Sequence, residues 1–186
     1  MNNPKPTEVL EREHHYIQQV VASLLLFAEE LEKGEPVPPE TLADTLEFLH
    51  TFADRCHHGK EEECLFPLLE DKGVPPQGCP LGVLKKEHEA GRSLVAKLTS
   101  VSDSYIKDGS EKELLRTTLL SLAELYGGHI WKEDYLLFPM TNKVLSAAEQ
   151  EQLAKQFDDV ESSIGSDVQQ RFEELAKKLQ QRAFHE

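Results

Sequence analysis

Two stretches decide the reading of this chain: His57-His58-Gly59-Lys60-Glu61-Glu62-Glu63-Cys64-Leu65-Phe66-Pro67 and His129-Ile130-Trp131-Lys132-Glu133-Asp134-Tyr135-Leu136-Leu137-Phe138-Pro139. Both carry H-x-x-K-E-x-x-x-L-F-P. On a helix, residues four apart share a face, so each block projects an imidazole and a carboxylate side by side. Two such helices facing one another gather the ligand chemistry of a non-haem metal centre.

Around these blocks the apolar residues recur with helical spacing, and no alternating strand pattern occurs. The first helix starts near Thr7, behind Pro6, and carries Leu10, His14, Ile17, Val21, Leu24, Leu25 and Ala28 on one stripe. It ends in Gly34-Glu35-Pro36-Val37-Pro38-Pro39. A second helix runs from Glu40 to Asp71, a third from Pro80 to Lys107 and a fourth from Glu111 to near Asn142. Their lengths and short connections suit an all-α, antiparallel up-down four-helix bundle over residues 1–145. Ser146-Ala147-Ala148-Glu149 has the form of a capping box and opens another helix. An amphipathic segment follows Gly165, with Val168, Phe172, Leu175, Leu179 and Phe184 on one side. Residues 146–186 are therefore a helical extension that packs on the bundle or mediates association, with a homodimer as one outcome.

Composition narrows the function. The 186 residues hold 20 basic and 34 acidic side chains, a formal charge of -14. That balance excludes a basic groove for nucleic acid and disfavours an anionic membrane surface. No stretch nears the roughly 20 apolar residues of a membrane span, and Met1 to Pro6 has no apolar signal core, so a cytoplasmic location is expected. Cys56 and Cys64 stand about 12 Å apart along one helix, too far to bridge, and Cys79 lies in a turn. Reduced thiols follow. There is no H-E-x-x-H, no G-x-S-x-G and no phosphate loop.

The histidines converge. At about 100° per residue, His57, Glu61 and His58 fall at about 0°, 40° and 100° of one arc. Leu122, Tyr126, His129, Glu133, Leu136 and Met140 share a face of the fourth helix, and His88 continues the stripe of Leu81, Leu84, Gly91 and Val95. His14 borders the apolar stripe of the first helix, whereas His15 points away. His50 falls on the inward arc one to two turns earlier and is expected in an outer role, while His185 stands near the chain end. Burying so many imidazoles and carboxylates without a cation would leave polar groups unpaired, at about 1–3 kcal/mol each. Five His (14, 57, 58, 88, 129) and two Glu (61, 133) exceed one ion and match two ions bridged by two carboxylates. Mixed imidazole and carboxylate donors suit iron or manganese better than zinc.

The paired H-x-x-x-E…L-F-P blocks, with Glu13-His14 and Glu87-His88 on the other two helices, resemble the hemerythrin-like (HHE cation-binding) family over roughly residues 7 to 142. The resemblance implies a four-helix bundle with an oxo- or hydroxo-bridged di-iron centre. Glu61 and Glu133 would then be bridging carboxylates, and His14, His57, His58, His88 and His129 terminal ligands. Oxygen-carrying members have H-x-x-x-H on the third helix, where this chain has Arg92 four after His88. They close with H-x-x-x-x-D, and Asp134 is five after His129, yet the repeat favours Glu133. On this resemblance His58 would replace the missing third-helix ligand. These departures argue against reversible oxygen carriage.

The expected function is binding or sensing of oxygen, nitric oxide, peroxide or iron, with Tyr126 and Trp131 as tuning groups. An enzyme acting on peroxide or nitric oxide, or an iron donor in repair of iron centres, is the alternative. A third possibility is a regulatory protein whose C-terminal helices signal metal occupancy.

Overall fold

Every regular element is helical in the computed structural model, which describes residues 4–184. His185, Glu186 and the first three residues lie outside the described residues. Helix α1 spans Pro6–Lys33. Pro6 sits in its first turn, where a missing N–H costs nothing, and the Glu8 carboxylate accepts the Lys5 backbone N–H at 3.0 Å. It stops at Gly34, whose φ of 87° suits glycine, and the Glu35 N–H returns to the Glu30 carbonyl at 2.8 Å.

The chain then forms α2 (Pro39–Glu47), two π-helical segments, π1 (Phe48–His58) and π2 (Glu61–Leu65), and α3 (Phe66–Asp71). These run on as one uninterrupted helical rod over 39–71. Helix α4 (Leu81–Asp108) follows a turn. Next come α5 (Lys112–Lys132), a third π segment, π3 (Glu133–Leu137), and α6 (Phe138–Val144), again a single rod. Helices α7 (Ala147–Ile164) and α8 (Val168–Phe184) complete the described chain. At the start of α7, Ser146 and Glu149 form the reciprocal cap expected of their spacing, with Ser146 N–H on the Glu149 carboxylate at 2.9 Å.

Helix α1 packs on α5 and α8, and α4 packs on α5 and π1. The larger apolar cluster joins Ile17, Leu24 and Phe27 to Phe48, Phe52, Leu98, Leu119 and Phe172. A smaller one joins Leu10, Phe66, Leu69, Leu84, Phe138, Leu153 and Phe157. Along each of the four long rods the histidines fall between residues of one cluster and residues of the other. The polar centre is thus a layer held between two dry ones.

Helix α8 seats Val168, Phe172 and Leu179 in the larger cluster, a gross gain of roughly 5–9 kcal/mol before chain ordering. Phe184, expected on that same side, is 60% exposed. Two further expectations shift. Leu25 faces solvent while Val20 is buried. On the fourth rod Leu136 is 42% exposed and Leu137 fully buried. A wheel drawn at α-helical pitch misplaces this pair, because the π turn at Glu133–Leu137 widens the helix and advances the inward face by one residue.

Candidate metal centre

The L-F-P ending of each block explains the π turns at Glu61–Leu65 and Glu133–Leu137. Pro67 and Pro139 lack an N–H, and a proline ring clashes with the carbonyl four residues back. The preceding turn therefore opens. Phe66 N–H bonds the Glu61 carbonyl and Phe138 N–H the Glu133 carbonyl, five residues back in both copies. Each wide turn begins at the glutamate of its block, so the proline helps fix where that carboxylate projects.

Seven buried side chains meet there, each 3% exposed or less: His14, His57, His58, Glu61, His88, His129 and Glu133. They form two overlapping sets able to hold a cation, His14–His57–Glu61–Glu133 and His58–Glu61–His88–His129, with donor atoms within 4.8 Å of one another. His14 Nε2 and His57 Nε2 stand 3.0 Å apart, and His88 Nε2 and His129 Nε2 stand 3.1 Å apart. Two nitrogens bound about 2.1 Å from one ion, near a right angle, have a separation of about 3.0 Å. The glutamates lie between the pairs. Glu61 turns one oxygen toward His57 (3.9 Å) and the other toward His88 (3.4 Å). Glu133 places one oxygen 3.1 Å from His14 and the other 3.1 Å from His129.

Behind each imidazole stands an outer carboxylate on Nδ1. Asp134 holds His14 (2.6 Å), Glu13 holds His57 (2.9 Å) and Asp54 holds His58 (3.3 Å). Glu62 holds His88 (2.6 Å) and Glu87 holds His129 (3.1 Å). A donor Nδ1–H fixes the tautomer and leaves Nε2 free to ligate. Four of these acids, Glu13, Asp54, Glu62 and Glu87, are in turn held by cations. Lys60 bonds Glu13, Lys132 bonds Glu87 at 2.7 Å, and Arg92 spans Asp54 (2.8 Å) and Glu62 (2.6 Å). The lysine of H-x-x-K-E thus steadies the acid that steadies the histidine, in both copies.

With this geometry in place, the matches to known proteins are specific. The family model for the hemerythrin HHE cation-binding domain matches residues 5–141. The chain belongs to that family. It is also 27% identical over 158 residues to uncharacterized proteins of Mycobacterium bovis and Mycobacterium tuberculosis, covering 83% of this chain and 60% of each relative. The iron-sulfur cluster repair protein YtfE of Edwardsiella ictaluri is 28% identical over 138 residues, 70% of this chain and 62% of that protein. The chain therefore spans about three fifths of the length of these relatives.

The fit of a cation to this hemerythrin-like pocket can be tested on its unpaired atoms. His58 Nε2, both Glu61 oxygens and Glu133 Oε1 are buried without a hydrogen bond. Buried orphans of this kind are costly, and cations held in the two sets would satisfy them. The electrostatics agree. Burial opposes charging of His14, yet its bonds to Asp134 and Glu133 lift it to about 10. His88 rises to about 11 because Glu133, Glu61 and Glu62 outweigh its burial. Burial also disfavours the Glu133 carboxylate, but His129, His14 and His88 hold it well below the usual range. Without a metal, protons on these imidazoles do the neutralising. His58 goes the other way: burial, then the neighbouring His88 cation, keeps it neutral, the form that ligates.

Every residue singled out as a ligand comes to this centre. His15 does not; it is exposed and bonds Gln19 at 3.1 Å. His50 is exposed, 3.4 Å from Thr99, and lines a cavity of about 190 Å³ with Asp54, His58, Arg92 and Tyr126. Tyr126 is buried with its ring stacked 6.2 Å from His58, whereas Trp131 is 55% exposed against Tyr135 and cannot tune the centre by contact. The outer acids and lysines were not readable as partners. Their signal was present in the Glu13-His14 and Glu87-His88 pairs and the Glu61-Glu62 and Glu133-Asp134 pairs, but each acid serves a histidine on another helix.

No helix among the described residues is long and apolar enough to cross a membrane. Three free cysteines, Cys56 buried, Cys64 half-buried and Cys79 exposed, stand outside the donor sets.

Proposed function

We propose that the protein holds two iron ions and uses them to bind or sense oxygen, nitric oxide or peroxide. One observation carries this: five imidazoles, each with Nδ1 on a carboxylate, surround two buried glutamates whose oxygens are split between the two histidine pairs. In this reading His14 and His57 serve one ion, His58, His88 and His129 the other, and Glu61 and Glu133 bridge. The donor sets contain no thiolate, which favours iron over structural zinc. Bound iron supplies a Lewis-acidic, redox-active position for a small ligand. The chain's own part is to hold the nitrogens in one tautomer, balance the carboxylates, and keep water out with the apolar layers on either side.

The proposal extends to architecture and place. The rods over 6–33, 39–71, 81–108 and 112–144 form an antiparallel four-helix bundle within residues 1–145, with 146–186 as its extension, in a cytoplasmic protein. Packing of α1 and α4 on α5, and the short turns, support this arrangement. A second reading, donation of iron during repair of iron-sulfur centres, draws support from the likeness to YtfE.

Metal analysis with an ultraviolet-visible spectrum of the purified protein tests the proposal. Two irons per chain with ligand-to-iron charge-transfer bands are expected, and a single zinc would overturn it. Exposure of the reduced protein to oxygen, nitric oxide and peroxide, beside a Glu61→Ala variant, then separates binding from turnover.

A further inference from the structure

The two halves of the centre differ in what closes them. His57 leans on Glu13, which is fully buried and also accepts from Lys60 and from Gln169. Lys60 is itself 0% exposed and reaches Glu161 at 2.5 Å, and Gln169 reaches the same Glu161 oxygen at 2.8 Å. Glu161 lies in the last turn of α7 and Gln169 in the first turn of α8. A closed ring of bonds therefore joins Glu13, Lys60, Glu161 and Gln169, with His57 attached. The equivalent group in the other half, His129–Glu87–Lys132, has no such lid: the Lys132 side chain is 30% exposed and donates a second bond to the Gly128 carbonyl. No hydrogen bond from α7 or α8 reaches it among the described residues.

Apolar packing alone would dock α8, since Phe172 and Leu179 already lie in the core. A fully buried lysine between two carboxylates adds little to stability, because its desolvation offsets the Coulomb gain. What it adds is placement. Outer partners of ligating histidines set ring orientation, and their loss typically costs about 10- to 100-fold in metal affinity.

We propose that the α7–α8 corner is a positioning element of the metal centre, with Glu161 and Gln169 fixing Lys60 and Glu13 and through them the orientation of His57. Occupancy of the His14–His57 side and closure of the corner then strengthen one another, as linkage requires of coupled equilibria. The C-terminal helices thereby sense one ion of the two. This rests on the two-ion reading above.

The test uses the full chain, titrated anaerobically with iron(II), in wild type and in Gln169→Leu, Glu161→Gln and Lys132→Met variants. Gln169→Leu and Glu161→Gln should each weaken one of two binding steps by about 10- to 100-fold and leave the other unchanged. Lys132→Met should weaken the opposite step, so that Gln169→Leu combined with Lys132→Met weakens both. Hydrogen exchange supplies a readout that a merely structural role would not move. Amides over 161–172 should gain protection on loading in wild type and lose that gain in Gln169→Leu, while the metal-free proteins melt alike. Binding steps within about twofold of wild type, or a loading response at 161–172 that survives the substitution, would overturn the inference and leave the metal reading standing. A wild-type chain that takes up no ion overturns both.

Discussion

Removing the ions should lower stability by an amount large enough to read directly. In the metal-free centre, His58 Nε2, both Glu61 oxygens and Glu133 Oε1 are buried orphans. At about 1–3 kcal/mol each, four such atoms burden the fold by about 4–12 kcal/mol, comparable to the whole stability of a typical domain. Protons on His14 and His88 offset part of this, so the lower half of that range is the relevant one. Mass action gives a consistent figure: an ion at 100 times its dissociation constant stabilises by about 2.7 kcal/mol, and two by about 5 kcal/mol. For a chain of this size each kcal/mol moves the melting temperature by about 2–4 °C, so chelation should lower it by about 10–20 °C. Calorimetry of iron-loaded protein before and after a strong chelator measures this. Melting within about 3 °C of each other would refute the reasoning, because the orphaned atoms would then have cost the fold nothing.

The chelated protein should also lose stability as pH rises. His14 and His88 are raised from 6.5 to about 10 and about 11. Their contribution is complete below the unfolded value and lost as pH climbs through the folded one, so the melting temperature should fall between about pH 7 and 10. Loaded protein, whose ligands exclude those protons, should show no such slope. Arg92→Ala should weaken the ion at the His58–His88 side by about 10- to 100-fold, since Asp54 and Glu62 lose their shared restraint, while isothermal titration shows the other step unchanged. Pro139→Ala should raise metal-free stability by up to about 3 kcal/mol in urea denaturation and lower metal affinity, because the π turn at Glu133 can close. Trp131→Ala should leave affinity unchanged and stability within about 0.5 kcal/mol, as suits an exposed ring.

The inner donors were legible because each is an uncommon residue on an apolar stripe. His88 between Leu84 and Val95, or Glu133 four after His129, cannot be assigned to solvent without breaking the helix pattern. The outer acids were illegible for the opposite reason. Glu62, Glu87 and Asp134 are partly exposed, on a chain rich in surface acids, and nothing in their spacing marks them from the rest. Sequence adjacency even misleads, since Glu13 precedes His14 but holds His57. The π turns escaped because a wheel assumes constant pitch, and the prolines that open the two at Glu61 and Glu133 lie four residues beyond the carbonyls they displace. Gln169 escaped because its partners lie on other helices, Glu13 on α1 and Glu161 on α7.

The internal likeness extends beyond the quoted block. Glu13, His14, His57, Lys60, Glu61 and Glu62 correspond in role to Glu87, His88, His129, Lys132, Glu133 and Asp134. In each half the helix that supplies Glu-His gives its acid to the block's first histidine, and the acid directly after the block's inner glutamate goes to the Glu-His histidine of the other half. A centre wired this way links its two halves through the crossing bonds of Asp134 to His14 and of Glu62 to His88. Differences between the halves then carry the chemical distinction between the two ions. His58, where the second copy has Ile130, gives one ion a third imidazole, stacked 3.8 Å from His88. Glu161 and Gln169 give the other a lid. A near-symmetric frame with one extra ligand on one side and one extra clamp on the other predicts two binding steps of unequal affinity. Substituting His58 by isoleucine, which restores the likeness of the copies, should weaken only the step at the His88–His129 side. Loss at both steps would show that the halves are not separable.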